Sequence, residues 1–106
     1  MNTSKIGFVV IYRWRLRTGK EEQFQKGWET ITRALLQERG ALGSRLHQAE
    51  DGTWFAYAQW PAKKVWERSR ELGPLDPTAS AAMAEATEES FEPVLMTPVC
   101  DHLVSG

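Results

Sequence analysis

The segment 40–66 constrains the fold more than any other part of this chain, because a tight turn separates two short strand-like stretches within it. The turn is Asp51-Gly52, a pair that supplies the positive φ angles required by a two-residue hairpin loop. This pattern predicts a β-hairpin in which Glu50 pairs with Thr53.

The predicted register decides which side chains share a face of the sheet. His47 lies opposite Ala56 and Arg45 lies opposite Ala58, so small residues form a floor beside an imidazole and a guanidinium. The same face carries the large rings of Trp54 and Trp60. Large rings around a floor of small residues indicate either an aromatic-lined pocket or a helix packed tightly against the sheet.

The first apolar run, residues 6–16, has the pattern of a central strand. The positions on one face are large and apolar: Phe8, Val10, Tyr12, Trp14 and Leu16. The other face holds Val9 and Ile11 before it becomes basic at Arg13. A strand that is apolar on both faces is covered on both sides, so we expect it in the middle of the sheet.

A helix is predicted after this strand. Residues 18–21 fit a capping box that begins at Thr18. An apolar stripe follows at helical spacing: Phe24, Trp28, Ile31 and Leu35. Gly27 is expected to permit a close backbone contact, and Gly40 ends the helix.

The second half of the chain adds helical segments and an edge strand. Pro61 opens one helix, and Asp76-Pro77 begins another that runs to Ser90. The last strand is predicted over residues 94–103, at an edge, because Pro98 cannot donate to a ladder. The order βαββ(αα)β predicts an α+β sandwich with a four-stranded antiparallel sheet, in a single domain over residues 1–106.

The sheet face opposite the tryptophans is predicted to be apolar as well. It would carry Leu42, Leu46, Phe55 and Tyr57. An exposed apolar patch of this size is unfavourable in a monomer. Because two sheets packed face to face would cover it, we expect a homodimer that forms through the sheet faces.

Composition excludes several classes of protein. A formal net charge of -1 gives no general basic surface for nucleic acid. Cys100 is the only cysteine, which excludes internal disulfides and cysteine-based zinc sites, and no side chains have metal-ligand spacing. No apolar run reaches the length of a membrane span and no signal-peptide pattern is present. We therefore expect a cytoplasmic protein that binds no metal, nucleic acid or membrane.

Three stretches resemble the antibiotic biosynthesis monooxygenase domain family: VVIYRWRLRTGKEEQF, the helix that contains Trp28, and GALGSRLHQAEDGTWFAYAQWPAKKVW. The resemblance covers residues 7–98. It implies a ferredoxin-like fold and membership of the dimeric α+β barrel superfamily, whose protomers pair as homodimers. The activities that it implies vary: some members oxygenate a small aromatic or quinol-type molecule without a metal or organic cofactor, some isomerise small metabolites, and many have no known activity. The first of these is the activity expected here.

Some members of that family degrade haem, for which the resemblance implies an axial histidine on the helix after the third strand. This chain has Trp66 in the comparable helix, but no histidine lies between His47 and His102. The resemblance also implies an asparagine near that histidine, but the only asparagine of this chain is Asn2, ahead of the first strand. Haem degradation is therefore not expected, and no cofactor is predicted.

His47 is the predicted general base, because an imidazole can take a proton from a phenol or quinol near neutral pH. Arg45 is the predicted stabiliser of the resulting anion. The predicted ligand-binding residues are Trp14, Trp54, Trp60, Trp66, Tyr57 and Arg13. The alternative hypothesis is a non-catalytic dimer, either ligand-binding or structural, in which His47 and Arg45 form a polar patch.

Overall fold

The computed structural model describes residues 6–104, which form five strands and three helices. In chain order they are β1 (Phe8–Leu16), α1 (Glu21–Glu38), β2 (Ser44–Gln48), β3 (Trp54–Trp60), α2 (Lys63–Leu72), α3 (Pro77–Ala86), β4 (Thr87–Ser90) and β5 (Val94–Met96). The strands make one antiparallel sheet in the order β2-β3-β1-β4, and β5 also pairs with β1. Within the described residues, no helix has the length and apolarity of a membrane span.

Strand β1 lies at the centre of the sheet, as its apolar pattern predicts. Along one side it pairs with β3, from Phe8 opposite Trp60 to Trp14 opposite Trp54. Along the other side β4 pairs with residues 14–16 and β5 with residues 9–11. The predicted α+β order and antiparallel sheet are confirmed, with two short strands in place of one at this edge.

All three helices pack on one face of the sheet. The side chains there form two buried clusters, one around Val10 and one around Phe24. The Phe24 ring lies 4.9 Å from that of Trp14 and 6.4 Å from that of Trp54, measured between centroids. Burial of each such side chain contributes about 1.5–3 kcal/mol, so this face holds most of the core.

Gly27 lets α1 and α3 approach closely. A Cβ atom at this position would lie 2.8 Å from Cγ of Met83 and 2.9 Å from the carbonyl oxygen of Ala79. Neither distance leaves room for a methyl group. The close contact predicted from a glycine inside a helix is confirmed.

The register predicted for the hairpin is wrong by one residue. The Ala49 N–H donates to the Thr53 carbonyl at 2.7 Å, so the loop contains three residues, 50–52. A two-residue loop of the Asp-Gly type requires positive φ at both central positions. Here Gly52 has a φ of 92°, but Asp51 does not have a positive φ. Asp51 instead accepts a hydrogen bond from the Thr53 N–H at 2.9 Å.

A shift of one residue moves every side chain of β2 to the other face. His47 lies opposite Phe55 and Arg45 lies opposite Tyr57, whereas Leu46 lies opposite Ala56 on the helix-covered face. The prediction that placed Leu46 away from the tryptophans is therefore also wrong. The face that none of the three helices covers, the open face, carries Val9, Ile11, Arg13, Arg15, Arg45, His47, Phe55, Tyr57, Val94 and Met96.

The helix predicted to run to Ser90 ends at Ala86, and the chain continues as β4. Residues 87–90 form a strand because the edge of β1 presents backbone N–H and C=O groups to them. A helix that continued to Ser90 would leave these groups of β1 without partners. The Arg17 N–H donates to the Ala86 carbonyl at 2.8 Å. The cap predicted at Asp76 is confirmed, since its carboxylate accepts from the Ala79 N–H at 2.9 Å.

Three further boundaries differ from the prediction. Helix α2 begins at Lys63 with Ala62 as its N-cap, so Pro61 precedes this helix instead of opening it. The last strand was expected over residues 94–103 but ends at Met96, before Pro98, which has no amide hydrogen to donate. Helix α1 begins at Glu21 rather than after Thr18, because Gly19 has a positive φ of 87° that is not helical. The Glu21 carboxylate accepts from the Gly19 N–H at 3.0 Å instead of completing a capping box.

Candidate functional site

A cavity of about 200 Å³ lies between α1 and the helix-covered face of the sheet. Aromatic and aliphatic side chains make up most of its wall, so it is named the aromatic cavity. It is lined by Tyr12, Trp14, Trp28, Ile31, Thr32, Leu35, Ala41, Gly43, Ser44, Ala58, Trp60 and Met83.

The cavity exists because small residues meet across the sheet beneath a helix of large ones. Ser44 lies opposite Ala58 in the β2–β3 pair, and both of these small residues line the cavity. Phe24, at the start of the α1 stripe, is fully buried, whereas Trp28 and Leu35 are half-buried and face the cavity. The small-residue floor therefore leaves an open space rather than a tightly packed helix.

Aromatic rings shape the walls. Tyr12 and Trp14 stack with their planes 14° apart and their centroids 5.9 Å apart. Trp60 forms another part of the wall, and its buried indole N–H has no hydrogen-bond acceptor among the described residues. A buried donor without a partner is unfavourable, so a ligand oxygen that reached this N–H would stabilise it.

The Tyr12 hydroxyl is the polar group most suited to act on a ligand. It accepts a hydrogen bond from the Trp66 indole N–H at 2.9 Å. Burial raises the pKa of the Tyr12 hydroxyl above its ordinary value of 10.0, against the opposing effects of the Trp66 hydrogen bond and the Arg70 charge. The group is therefore neutral at physiological pH and keeps its own hydrogen for donation to a ligand.

A second cavity, of about 250 Å³, adjoins the first and is named the arginine cavity. The two share the side chains Tyr12, Ile31, Leu35 and Trp60. Arg39 and Arg70 line the second cavity together with Trp66 and residues at the end of α2. An aromatic space thus lies next to a cationic one.

Three predicted ligand-binding residues lie at these cavities. Trp14 and Trp60 line the aromatic cavity, and Trp66 lines the arginine cavity. Trp54 is on the same face but packs into the core cluster with Phe24 and is not part of either lining.

The other predicted site residues lie on the open face. His47 and Arg45 are exposed there, and Tyr57 is half-buried. The Arg13 guanidinium lies 5.3 Å from the Phe91 ring centroid. Within one protomer, His47 and Arg45 therefore lie on the opposite face of the sheet from the tryptophans and do not share a site with them.

The predicted site residues did not include five residues of the two cavities that matter here: Tyr12, Trp28, Met83, Arg39 and Arg70. Trp28 carried a usable signal, since it belongs to the apolar stripe of α1 that faces the cavity. Arg39 and Arg70 carried none, because each sits among exposed charged residues at a helix end. The described residues contain no group of three histidine, cysteine or carboxylate side chains placed to hold a metal ion.

The fold is similar to those of several solved structures, which include two oxygenases. SnoaB, a cofactor-independent oxygenase from Streptomyces nogalater, is 14% identical, with a TM-score of 0.71 over 91% of this chain and 96% of its own. A monooxygenase from the gene ActVA-Orf6 of Streptomyces coelicolor, solved with the ligand nanaomycin D, is 22% identical, with a TM-score of 0.69 over 95% of each chain. Rv0793 from Mycobacterium tuberculosis is 14% identical, with a TM-score of 0.70 over 89% of this chain and 96% of its own.

A comparison with curated protein sequences finds no significant match. The family model for antibiotic biosynthesis monooxygenases matches residues 7–74, which include β1, α1, the hairpin and α2. These elements build most of the aromatic cavity. The chain belongs to the antibiotic biosynthesis monooxygenase family.

Proposed function

We propose that this protein is a cofactor-independent monooxygenase that acts on a small phenol- or quinol-type molecule in the aromatic cavity. The observation that carries the proposal is the cavity itself, in which Tyr12, Trp14, Trp28 and Trp60 surround about 200 Å³. Membership of the family supports it, and so does the likeness of the fold to a cofactor-independent oxygenase.

The volume of the cavity sets the size of the substrate. An apolar protein cavity of about 150 Å³ holds benzene. The aromatic cavity is therefore suited to one substituted ring or two fused rings. Aromatic rings prefer neighbours at centroid distances of about 4.5–7 Å, which Trp14 and Trp60 can supply as walls.

The proposed reaction balances without a reductant from outside. A phenol and dioxygen give a para-quinone and one water molecule. One oxygen atom becomes the new ring carbonyl, and the second leaves as water with the hydrogens of the phenol O–H and the ring C–H. The ring supplies all four electrons that reduce dioxygen, so no organic cofactor or metal is needed.

Tyr12 is the proposed catalytic residue. Its neutral hydroxyl donates a hydrogen bond to the phenol oxygen as that oxygen becomes anionic and electrons move toward dioxygen. Trp66 keeps the hydroxyl in place by donating to it at 2.9 Å. The apolar walls lower the local polarity, which strengthens this hydrogen bond. The proposal gives His47 and Arg45 no role in this cavity.

A second candidate function is non-catalytic binding of a small aromatic molecule. It is favoured by the side chains of the aromatic cavity, which include no histidine, carboxylate, lysine, arginine or cysteine. The cavity therefore supplies no general base for the removal of a phenol proton.

Oxygen consumption separates these functions. The purified protein is incubated with phenols and naphthols of one and two rings, and the products are analysed by mass spectrometry under ¹⁸O₂. The proposal predicts one dioxygen consumed per substrate and one labelled oxygen in the quinone. Ala58→Leu, which fills the cavity, should abolish turnover, whereas His47→Ala, on the open face, should retain it.

Binding without oxygen consumption would support the second function and overturn the first. If Ala58→Leu does not fold, Thr32→Leu fills the same cavity from α1. Turnover that survives a folded filling variant would also overturn the proposed site.

The protein is further proposed to work as a homodimer that forms through the open face. Ile11, Phe55 and Tyr57 are half-buried there in a single chain. On β5, Val94 is 41% and Met96 is 38% exposed. A contiguous apolar surface of this kind is typical of a protein–protein interface. A cytoplasmic location stays a prediction from the sequence.

A further inference from the structure

We infer that the molecule bound in the aromatic cavity carries an anionic oxygen group, a carboxylate or an ionised hydroxyl, which Arg39 and Arg70 hold in the arginine cavity. The inference rests on the proposed function for the place where the ring binds. It adds the charge of the ligand and does not depend on whether the bound ring is oxygenated.

The two cavities are placed to receive the two parts of one molecule. They meet at Tyr12 and Trp60, which belong to both walls. A ring held against these side chains can therefore direct a substituent into the arginine cavity. The second space, of about 250 Å³, is large enough for a carboxylate and some water.

Arg39 is a half-buried cation, and no carboxylate of residues 6–104 forms an ion pair with it. Its guanidinium donates to the Ser69 carbonyl at 2.6 Å, the Ser69 hydroxyl at 3.1 Å and the Gly73 carbonyl at 3.0 Å. These three acceptors are neutral and fix the orientation of the group. A guanidinium has five N–H donors, so two are left for a ligand.

Arg70 adds a second positive charge beside the same cavity. Its Cζ atom lies 4.9 Å from the centroid of the Trp66 ring. Its charge also acts on the Tyr12 hydroxyl, whose pKa it lowers against the larger effect of burial. An anion near Arg70 is thus close to the group that donates to the substrate.

No carboxylate of residues 6–104 neutralises these two arginines. The ion pairs found within 4.0 Å there involve Arg15, Lys20 and Arg33, which lie elsewhere. A partly desolvated guanidinium gains most from an ionised oxygen acceptor, because such hydrogen bonds are about twice as strong as neutral ones. The half-buried Arg39 therefore favours an anionic ligand, to which the exposed Arg70 adds a second positive charge.

An anionic ligand also agrees with the missing base. The aromatic cavity has no side chain that could remove a phenol proton at neutral pH. A ligand whose own acidity ionises it in solution needs no such base. The two arginines thus favour an aromatic carboxylate or an acidic hydroxyaromatic compound, and the absent base favours the second of these.

Isothermal titration calorimetry with an isosteric pair of probes tests the charge. The probes are 2-naphthoate and 2-naphthamide, which share a shape and differ in charge. We expect wild-type protein to bind the naphthoate about tenfold more tightly. We expect Arg70→Gln to remove most of this preference and Arg70→Lys to restore part of it. Added salt should weaken naphthoate binding more than naphthamide binding.

Arg68→Gln is the matched control, because Arg68 is an exposed arginine on the same helix and lines neither cavity. It should leave both affinities unchanged. Equal affinity for the two probes, binding of neither, or equal effects of Arg70→Gln and Arg68→Gln would each overturn the inference. Preferential binding of naphthoate without turnover of any phenol would support it while the proposed oxygenase activity failed.

Discussion

The Trp66 indole N–H donates to the Tyr12 hydroxyl over 2.9 Å, which ties helix α2 to the central strand β1. Trp66 is only 5% exposed, so its N–H has little access to water. Phe8 packs against its ring with 5.4 Å between centroids, and Arg70 covers the ring at 4.9 Å. Trp66 therefore links Arg70, which lies over its ring, with the Tyr12 hydroxyl at the aromatic cavity.

Tyr12→Phe should lower the free energy of unfolding by about 1–3 kcal/mol, because it leaves the buried Trp66 N–H without an acceptor. Urea unfolding measures the change. Tyr57→Phe is the control, since it removes the same atom from a half-buried ring on the open face and should alter stability by about 0.5 kcal/mol or less. Equal effects of the two substitutions would contradict the importance of the Trp66–Tyr12 bond.

The raised pKa of Tyr12 predicts a loss of stability at alkaline pH. Below the ordinary value of 10.0 the hydroxyl is protonated in both the folded and unfolded chain and contributes no pH dependence. Above it the unfolded chain ionises first, so the free energy of unfolding falls until the pH passes the folded pKa. Unfolding measured from about pH 9 to about pH 11 should show a steeper fall for wild type than for Tyr12→Phe. Parallel curves would show that burial does not raise this pKa.

Gly27→Ala should destabilise the protein although alanine favours helices. The added Cβ would lie 2.8 Å from Met83 Cγ and 2.9 Å from the Ala79 carbonyl oxygen. Overpacking of this kind costs about 1–3 kcal/mol, which exceeds the gain of about 1 kcal/mol in helix propensity. Thermal unfolding tests the sign, with Gln25→Ala at an exposed position of α1 as the control. A raised melting temperature would mean that α3 can move away freely.

The three-residue hairpin loop predicts that Glu50→Pro is tolerated. The Gly52 N–H donates to the Ala49 carbonyl at 2.9 Å, so Glu50 is the second residue of this four-residue turn, where proline fits, and Ala49 rather than Glu50 pairs with Thr53. The free energy of unfolding should stay within about 1 kcal/mol of wild type. Asp51→Pro is the contrasting variant, because proline is disfavoured at the next position and the Asp51 carboxylate is lost. Strong destabilisation by Glu50→Pro would favour the two-residue loop.

Local residue patterns were sufficient to predict β1, α1 and the start of α3. Apolar residues on both faces identified β1 as the central strand, and the stripe from Phe24 to Leu35 identified α1. Asp76-Pro77 marked the start of α3 through local capping chemistry. Each of these patterns involves neighbouring residues and more than one of them, so one residue that departs from a pattern does not change the predicted element.

The candidate site depended on signals that are not local. Asp51-Gly52 permits loops of two or three residues, and only the pairing of Ala49 with Thr53 selects one. That choice moved His47 away from the aromatic cavity. Strand β4 was not predictable from its own residues, because Thr87–Ser90 becomes a strand by pairing with the edge of β1.

Ile11→Asp should convert a dimer into a monomer. Ile11 lies on the open face opposite Tyr57 and Val94, so a carboxylate there would be buried without a partner in the proposed interface. Sedimentation velocity at micromolar concentration should give a dimer for wild type and a monomer for the variant. Leu72→Asp is the control, since Leu72 is 63% exposed on α2 and should leave the dimer intact. A monomeric wild type, or a variant that remains dimeric, would show that the open face does not form the interface.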